Sequence, residues 1–193
     1  MAEHLRVRPG AVANALCWGM GGLEHGVDLS HARIGGRVRV QQALEGAVGG
    51  GEGDKALAAL EEAVAAAVRQ RSGAVAQARG GLPPALSAAA AVADHARDWL
   101  NGGRRGELVS MGVFSSAAGC PYGVPEGLYF SFPVTCTGGG RWSVPRLELS
   151  AAAAASIAAA REALSEERLE VEAALSAAAL SAAAAGASGA ASP

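Results

Sequence analysis

The chain has 193 residues, a net charge of −2, 50% apolar residues and only 4% aromatic residues. This length suits a single domain, whose core must consist mainly of small and medium-sized aliphatic side chains. The near-neutral charge argues against a nucleic-acid-binding protein, which needs a basic patch or stripe. The long uncharged stretches are alanine tracts, which we interpret as helices rather than membrane spans because alanine is a strong helix former and only weakly hydrophobic.

The amino-terminal quarter predicts short strands joined by loops. Residues 11–18 have the composition of one buried strand, and residues 19–26 form a loop. Residues 33–44 alternate around a pair of glycines, with Val38 and Val40 on one face. This alternation predicts a hairpin strand leading towards a turn.

Two helices are predicted next, after a flexible glycine-rich break at residues 49–53. Asp54 is the expected N-cap of the first helix, which should continue to Arg79, with a possible kink near Ser72-Gly73. Its apolar stripe recurs at three- and four-residue steps and consists of Leu57, Leu60, Val64 and Val68. The run Gly80-Gly81-Leu82-Pro83-Pro84 ends it, because proline supplies no backbone donor. The second helix spans about residues 85–100.

The carboxyl-terminal half predicts a sheet followed by one long helix. Residues 107–114, 128–136 and 142–149 are β-rich runs separated by turns, which suggests an antiparallel sheet. An amphipathic helix begins near Ser150, with Ile157, Leu164, Val171 and Leu175 near one face. Residues 179–193 are expected to form a disordered tail. Helices flanking an antiparallel sheet define an α+β fold.

The cysteines and the amino terminus bear on the compartment. Cys17, Cys120 and Cys136 are an odd number without metal-ligand spacing, so we expect buried, reduced thiols in a reducing environment. Residues 1–6 have no apolar run that would serve a signal peptide.

Several segments resemble the cytosolic-type malate dehydrogenases of the lactate/malate dehydrogenase family. They are the run Glu107-Leu108-Val109-Ser110-Met111-Gly112-Val113, the run from Pro121 to Val134 (PYGVPEGLYFSFPV), and shorter pieces at residues 28–32, 68–75 and 94–99. The resemblance covers residues 5–178 and implies the carboxyl-terminal catalytic and dimerisation domain: an antiparallel sheet flanked by long helices, with no Rossmann domain. Residues 1–4 would then be a remnant of an upstream helix. The resemblance also implies a cytoplasmic protein that forms a homo- or heterodimer through the family's helices.

The family interconverts malate and oxaloacetate with NAD, and its chemistry needs a base that takes the proton of the substrate hydroxyl. By resemblance, this base is the histidine of a "WGNHS" motif. The corresponding run here is Trp18-Gly19-Met20-Gly21-Gly22, so Gly21 occupies the histidine position. Glycine cannot accept a proton, and we therefore expect no catalytic residue and an inactive chain.

Further departures fall beside the family's reaction centre. Ser72 replaces the glycine of a "QQRGAA" motif, and Pro83-Pro84 replaces a serine pair. By resemblance, Ser72, Gly73 and Ser87 are adjacent to the substrate, a small dicarboxylate. Arg71 and Arg79 are candidates for substrate or structural contacts, and the structural role is favoured. We expect no NAD-binding residues in this chain, because the family's nucleotide-binding half and its clamp arginines would lie outside it.

The histidines and the glycine-rich loop leave alternatives. His25 could act as a shifted base, although a solvated loop histidine is the simpler interpretation. His31 is expected to make a structural hydrogen bond, and His95 to lie on a helix face. A metal site at His25 and His31 lacks a third ligand. The run Gly19–Glu24 contains G-x-G, but it has no third glycine and no following helix, so we reject a dinucleotide loop.

Three functional hypotheses follow from the resemblance. The chain is a malate dehydrogenase-like domain that is inactive alone, a non-catalytic interaction protein that retains the family's dimer surface, or the product of a truncated gene model. No metal, nucleic acid or membrane is expected as a partner.

Overall fold

The computed structural model describes residues 1, 3, 5–19, 26–48, 51–116 and 121–188. Within these ranges, in chain order, five short strands precede three helices, and a three-stranded sheet precedes a fourth helix. The helices are α1 (Val40–Val48), α2 (Gly53–Ala78), α3 (Leu86–Asn101) and α4 (Ala151–Ser188). The strands are β1 (Val12–Ala13), β2 (Leu16–Trp18), β3 (Gly26–Asp28), β4 (Arg33–Ile34), β5 (Val38–Arg39), β6 (Val109–Phe114), β7 (Tyr129–Gly138) and β8 (Arg141–Ser143). The expected α+β fold is confirmed.

The predicted antiparallel sheet is formed by β6, β7 and β8 in that order. Its register pairs Met111 with Phe132 and Val113 with Phe130. Side chains alternate between the two faces of a strand, so Phe130, Phe132 and Val134 share one face, and all three are fully buried. Strand β8 is shorter than predicted, since residues 144–150 have no regular structure.

The main core lies where β2 and α4 pack against this sheet. Helix α4 contributes Ala153, Ile157 and Ala160, whose three- and four-residue spacing places them on one face. The alanines let the helix approach closely, and the aromatic rings fill the remaining space. The cluster contains Leu16, Trp18, Met111, Val113, Val124, Leu128, Phe130, Phe132, Val134, Cys136, Ala153, Ile157 and Ala160.

A second, smaller core joins α1 and α2 to the segment after β3. It is built from Leu29, Ala32, Val40, Leu57 and Leu60. The predicted stripe on α2 is therefore confirmed at its first two positions. Further along the helix Val64 packs against the same cluster, while Val68 is 45% exposed. No break at residues 72–73 interrupts α2.

The single strand predicted over residues 11–18 is wrong. Residues 9–11 form a 3₁₀ turn, and β1 and β2 belong to different sheets. Asn14 lies between them with a φ of 59°. This left-handed conformation cannot continue a strand, and asparagine is one of the few side chains that adopt it readily.

The hairpin around Gly35-Gly36 is confirmed as β4 and β5, but the chain turns helical at Val40. As a result Val40 is buried while Val38 is 46% exposed, so the two do not share a face. The predicted N-cap is also wrong. Helix α2 begins at Gly53, and Asp54 lies in its first turn, where its carboxylate accepts a hydrogen bond from Gln41 at 2.6 Å.

Helix α4 extends further than the sequence indicates. It is helical to Ser188, within the segment 179–193 for which a disordered tail is predicted. Alanine supplies most of these residues, and its high helix propensity favours the helix. Of the predicted apolar face, Ile157 is buried, whereas Val171 and Leu175 are 51% and 65% exposed. Among the described residues, no helix has the length and apolar character needed to cross a membrane.

Candidate functional site

Strands β2 and β3 flank, in sequence, the segment in which Gly21 replaces the family histidine. Leu16 pairs with Asp28, and Trp18 pairs with Gly26, the pair nearest in sequence to the connecting residues. Residues 20–25, which include Gly21 and His25, lie outside the described residues. Three statements therefore stay predictions from the sequence. They are the loss of the catalytic base at Gly21, the alternative base at His25, and the rejection of a dinucleotide-binding loop at Gly19–Glu24.

A buried polar pair fastens this hairpin. The Trp18 Nε1–H group donates to Oδ2 of Asp28 at 3.0 Å, and both side chains are only 1% exposed. The other carboxylate oxygen accepts from the backbone N–H and the hydroxyl of Ser30, at 2.9 and 2.6 Å. A buried carboxylate needs such partners to offset the loss of water. The pair therefore holds β2 against β3, the two strands on either side of residues 20–25 in sequence.

Helix α2 supports the far end of the same hairpin. The Leu29 N–H group donates to Oε1 of Glu61 at 2.8 Å. Partial burial raises the pKa of Glu61, the hydrogen bond from Leu29 lowers it, and the negative charge of Asp28 raises it further. Burial is the largest of the three effects, so the pKa of this carboxyl lies above its ordinary value.

One groove collects part of the substrate-adjacent set. A cavity of about 410 Å³ lies beside the second half of α2. It is lined by Met1, Ala63, Val64, Ala67, Val68, Arg71, Ser72 and Pro84. Ser72 thus lies beside Arg71 and one of the two prolines that replace the serine pair. Gly73 is the next residue along the exposed part of α2, and Ser87 is exposed near the start of α3; neither lines the groove.

The described lining of this groove can bind a carboxylate better than it can move a proton. The Arg71 guanidinium is a planar fork that matches a carboxylate, and Ser72 adds a hydroxyl. The remaining side chains named above are apolar. No Asp, Glu or His lies in the described lining, so these residues supply no general base.

The structure also shows the positions of His31, His95 and Arg79. His31 Nε2 lies 2.9 Å from the carbonyl oxygen of Glu148, which confirms the structural hydrogen bond expected there. His95 is exposed on α3, as predicted. Arg79 caps the end of α2 and donates to the carbonyl of Pro83, a structural contact. Nowhere in the described ranges do three His, Cys, Asp or Glu side chains cluster as metal ligands would.

Of the two cysteines that the structure describes, one is buried and one is exposed. Cys136 is a free, buried thiol, as expected. Burial raises its pKa, and the negative charge of Asp98 adds to the effect. The expectation was wrong for Cys17, which is exposed, because it occupies the outward position of β2 between the buried Leu16 and Trp18. Cys120 lies outside the described residues.

The tertiary structure also creates a polar cleft that we did not predict from the sequence. The cleft encloses about 230 Å³ between strands β1 and β4 on one side and residues 104–107 on the other. Arg33, Arg104 and Arg105 line it. The sequence signal was a local excess of arginine at residues 33–39 and 104–105. Only folding brings these two distant segments together.

The profile of one protein family, described as lactate/malate dehydrogenase, alpha/beta C-terminal domain, matches residues 1–176 of this chain. Among individual proteins, the cytoplasmic malate dehydrogenase of Medicago sativa is 37% identical over 147 residues, covering 75% of this chain and 40% of the plant protein. A probable malate dehydrogenase of Dictyostelium discoideum is 50% identical over 82 residues, which are 42% of this chain and 23% of that protein. The chain thus spans less than half the length of these relatives.

Solved structures give the same result for the fold. The malate dehydrogenase of Naegleria fowleri matches with a TM-score of 0.70 and 30% identity, over 89% of this chain and 48% of that one. A Trichomonas vaginalis lactate dehydrogenase, solved with NADH and oxamate, matches with a TM-score of 0.71 over 91% of this chain and 50% of the other. Its identity is 23%, so this second likeness concerns the fold alone.

Proposed function

Because this chain belongs to the lactate/malate dehydrogenase family through its alpha/beta C-terminal domain, we propose that it keeps the framework of a malate dehydrogenase catalytic domain without the chemistry. In this proposal the chain does not interconvert malate and oxaloacetate, and any affinity for a small dicarboxylate is residual. The observation that carries the proposal is Gly21, which stands where the family motif has its histidine.

The size of the expected loss follows from the role of the missing group. A positioned general base contributes roughly 10²–10⁴-fold to a rate. Removal of the hydride from C2 of malate would leave a protonated carbonyl unless the hydroxyl proton passes to a base, so the step cannot proceed efficiently without one. The groove beside α2 offers no replacement, since its described lining is apolar apart from Arg71 and Ser72.

The test is an assay of the purified 193-residue chain with malate and NAD⁺, following NADH by its absorbance. We expect no malate-dependent signal above a heat-denatured sample. A rate that requires both malate and native protein would overturn the proposal. If that rate were abolished in His25→Gln but kept in His95→Gln, the base would be His25, shifted by four residues from the family position.

A second candidate function is favoured by helix α3. None of its residues is buried, and Leu86, Val92 and Leu100 are 89%, 69% and 55% exposed. An apolar surface of this kind is typical of an association site. We propose as the alternative that α3 contributes to a homo- or heterodimer, so that the chain acts as an interaction protein.

Light scattering after size-exclusion chromatography tests this alternative. We expect Val92→Glu to reduce the dimer fraction, because a charge would be buried in the interface. Val48→Glu is the matched control on α1, where the valine is 55% exposed. A wild-type chain that stays monomeric across the concentration range, and captures no partner in a pull-down, would contradict the idea.

We also propose a cytoplasmic location, supported by the cytoplasmic malate dehydrogenases among the relatives. Imaging of the tagged full-length gene product would test it, and an organellar signal would refute it.

A further inference from the structure

The polar cleft introduced above is walled by two segments far apart in sequence. The 3₁₀ turn at residues 9–11 and the β4–β5 turn form one side, and residues 104–107 form the other. Arg33, Arg104 and Arg105 line the cleft, and Glu107 is the one acidic residue in its described lining. None of these residues belongs to the substrate-adjacent set of the family.

Asn14 determines how the two walls meet. Its side chain is 7% exposed and makes two hydrogen bonds across 92 or more residues of sequence. The amide nitrogen donates to the Gly106 carbonyl at 3.1 Å, and the amide oxygen accepts from the Leu108 N–H group at 2.8 Å. This two-point contact fixes the segment that carries Arg104 and Arg105 opposite Arg33.

The cleft has an excess of positive charge. Arg33 lies directly across the β4–β5 ladder from Arg39, and like charges at such positions repel each other. Arg33 donates only a long bond, 3.4 Å, to the Arg37 carbonyl. None of these arginines forms an ion pair with an acidic residue that the structure describes. The ion pairs among the described residues involve Lys55, Arg69, Arg97 and Arg168. The Glu107 carboxylate accepts from the Arg104 backbone N–H at 3.0 Å.

The glycines in the walls of the cleft leave space for a ligand. A Cβ atom added at Gly10, Gly35, Gly36 or Gly106 would meet no atom within 4 Å. The cavity, at about 230 Å³, is smaller than the roughly 300–1,000 Å³ of pockets for drug-sized ligands. It therefore suits a small anion or one end of a larger molecule, not a whole dinucleotide.

We propose that this cleft binds the phosphate group of a small molecule, through the guanidinium groups of Arg33 and Arg105 with support from Arg104. A guanidinium presents donors in a planar fork that matches two phosphate oxygens. A dianionic phosphate also relieves the repulsion between Arg33 and Arg39. Free phosphate and a phosphate monoester share this chemistry, and the experiment distinguishes them.

The experiment is a ³¹P NMR titration of the full chain at fixed ionic strength, with inorganic phosphate and glycerol phosphate as separate probes. We expect a saturable change in shift or line width with at least one probe, and tighter binding of glycerol phosphate identifies a monoester as the ligand. Arg33→Gln combined with Arg105→Gln should weaken binding at least about tenfold, because charge-assisted hydrogen bonds are lost. Arg146→Gln is the matched control, since this arginine is exposed and does not line the cleft.

A second pair of variants leaves the arginines in place. Gly10→Asp adds a carboxylate to the cleft without a clash, and Gly46→Asp adds the same charge on α1, also in open space. We expect binding to be lost only in Gly10→Asp, with circular dichroism unchanged in both variants. The proposal is overturned if wild type shows no saturable change, if both members of a pair behave alike, or if succinate displaces phosphate at equal concentration.

Discussion

Replacing Trp18 with phenylalanine tests how strands β2 and β3 are held together. The substitution keeps an aromatic ring in the core but removes the Nε1–H group that donates to Asp28. A hydrogen bond to a charged group contributes about 1.5–3 kcal/mol, and the smaller ring costs about 1 kcal/mol more through imperfect packing. We therefore expect the free energy of unfolding to fall by about 2.5–4 kcal/mol, measured by urea titration.

Trp99→Phe is the control for this prediction. Trp99 is 44% exposed, and its Nε1–H group donates to the Gly140 carbonyl at 2.8 Å. A neutral, exposed hydrogen bond of this kind should contribute about 1 kcal/mol or less. Combining Trp18→Phe with Asp28→Asn completes a double-mutant cycle, in which contacting residues couple by about 0.5–3 kcal/mol. A loss no larger than that of Trp99→Phe, together with no coupling, would refute the account of this pair.

Two further predictions concern buried polar groups. Ser115→Ala should lower the free energy of unfolding by about 1–3 kcal/mol in the same urea assay. The reason is that the fully buried Ser115 hydroxyl donates to the Pro125 carbonyl and accepts from the Leu128 N–H group. The control Ser116→Ala, at an exposed neighbour, should change stability little, and equal effects of the two variants would contradict the prediction. Glu61→Gln retains an oxygen that can accept from Leu29 but removes a charge whose burial raises the pKa. A carboxyl with a raised folded pKa loses stability as the pH rises through its unfolded value towards the folded one, so the variant should gain on wild type between acidic and neutral pH; a difference that does not change with pH would be inconsistent with this.

Much of the fold was predictable because its signals are local. The alternation that buries Phe130 and Phe132 depends only on the period of a strand. The stripe of Leu57 and Leu60 depends only on the period of a helix. Helix α2 ends at Ala78, and Gly80 and Gly81 follow with positive φ and donate to the carbonyls of Gln77 and Ala76, a helix end that glycine adopts without a steric cost. In each case neighbours within a few residues decide the outcome.

The errors arose where a distant partner decides. Asn14 interrupts the predicted strand because its side chain is bonded to Gly106 and Leu108, which no local pattern reveals. Helix α4 carries one continuous apolar face in sequence, yet Val171 is 51% exposed, because only the first turns of the helix pack on the sheet.

The sequence by itself determined the family and the identity of the residue at position 21, since both depend on ordered motifs and not on geometry. It also determined the chemistry available there, because glycine has no group that takes a proton. Only the tertiary structure decided which charges meet. The net charge of −2 sums over the whole chain, whereas the potential in the cleft depends on Arg33, Arg104 and Arg105 lining the same cleft, which folding alone brings about.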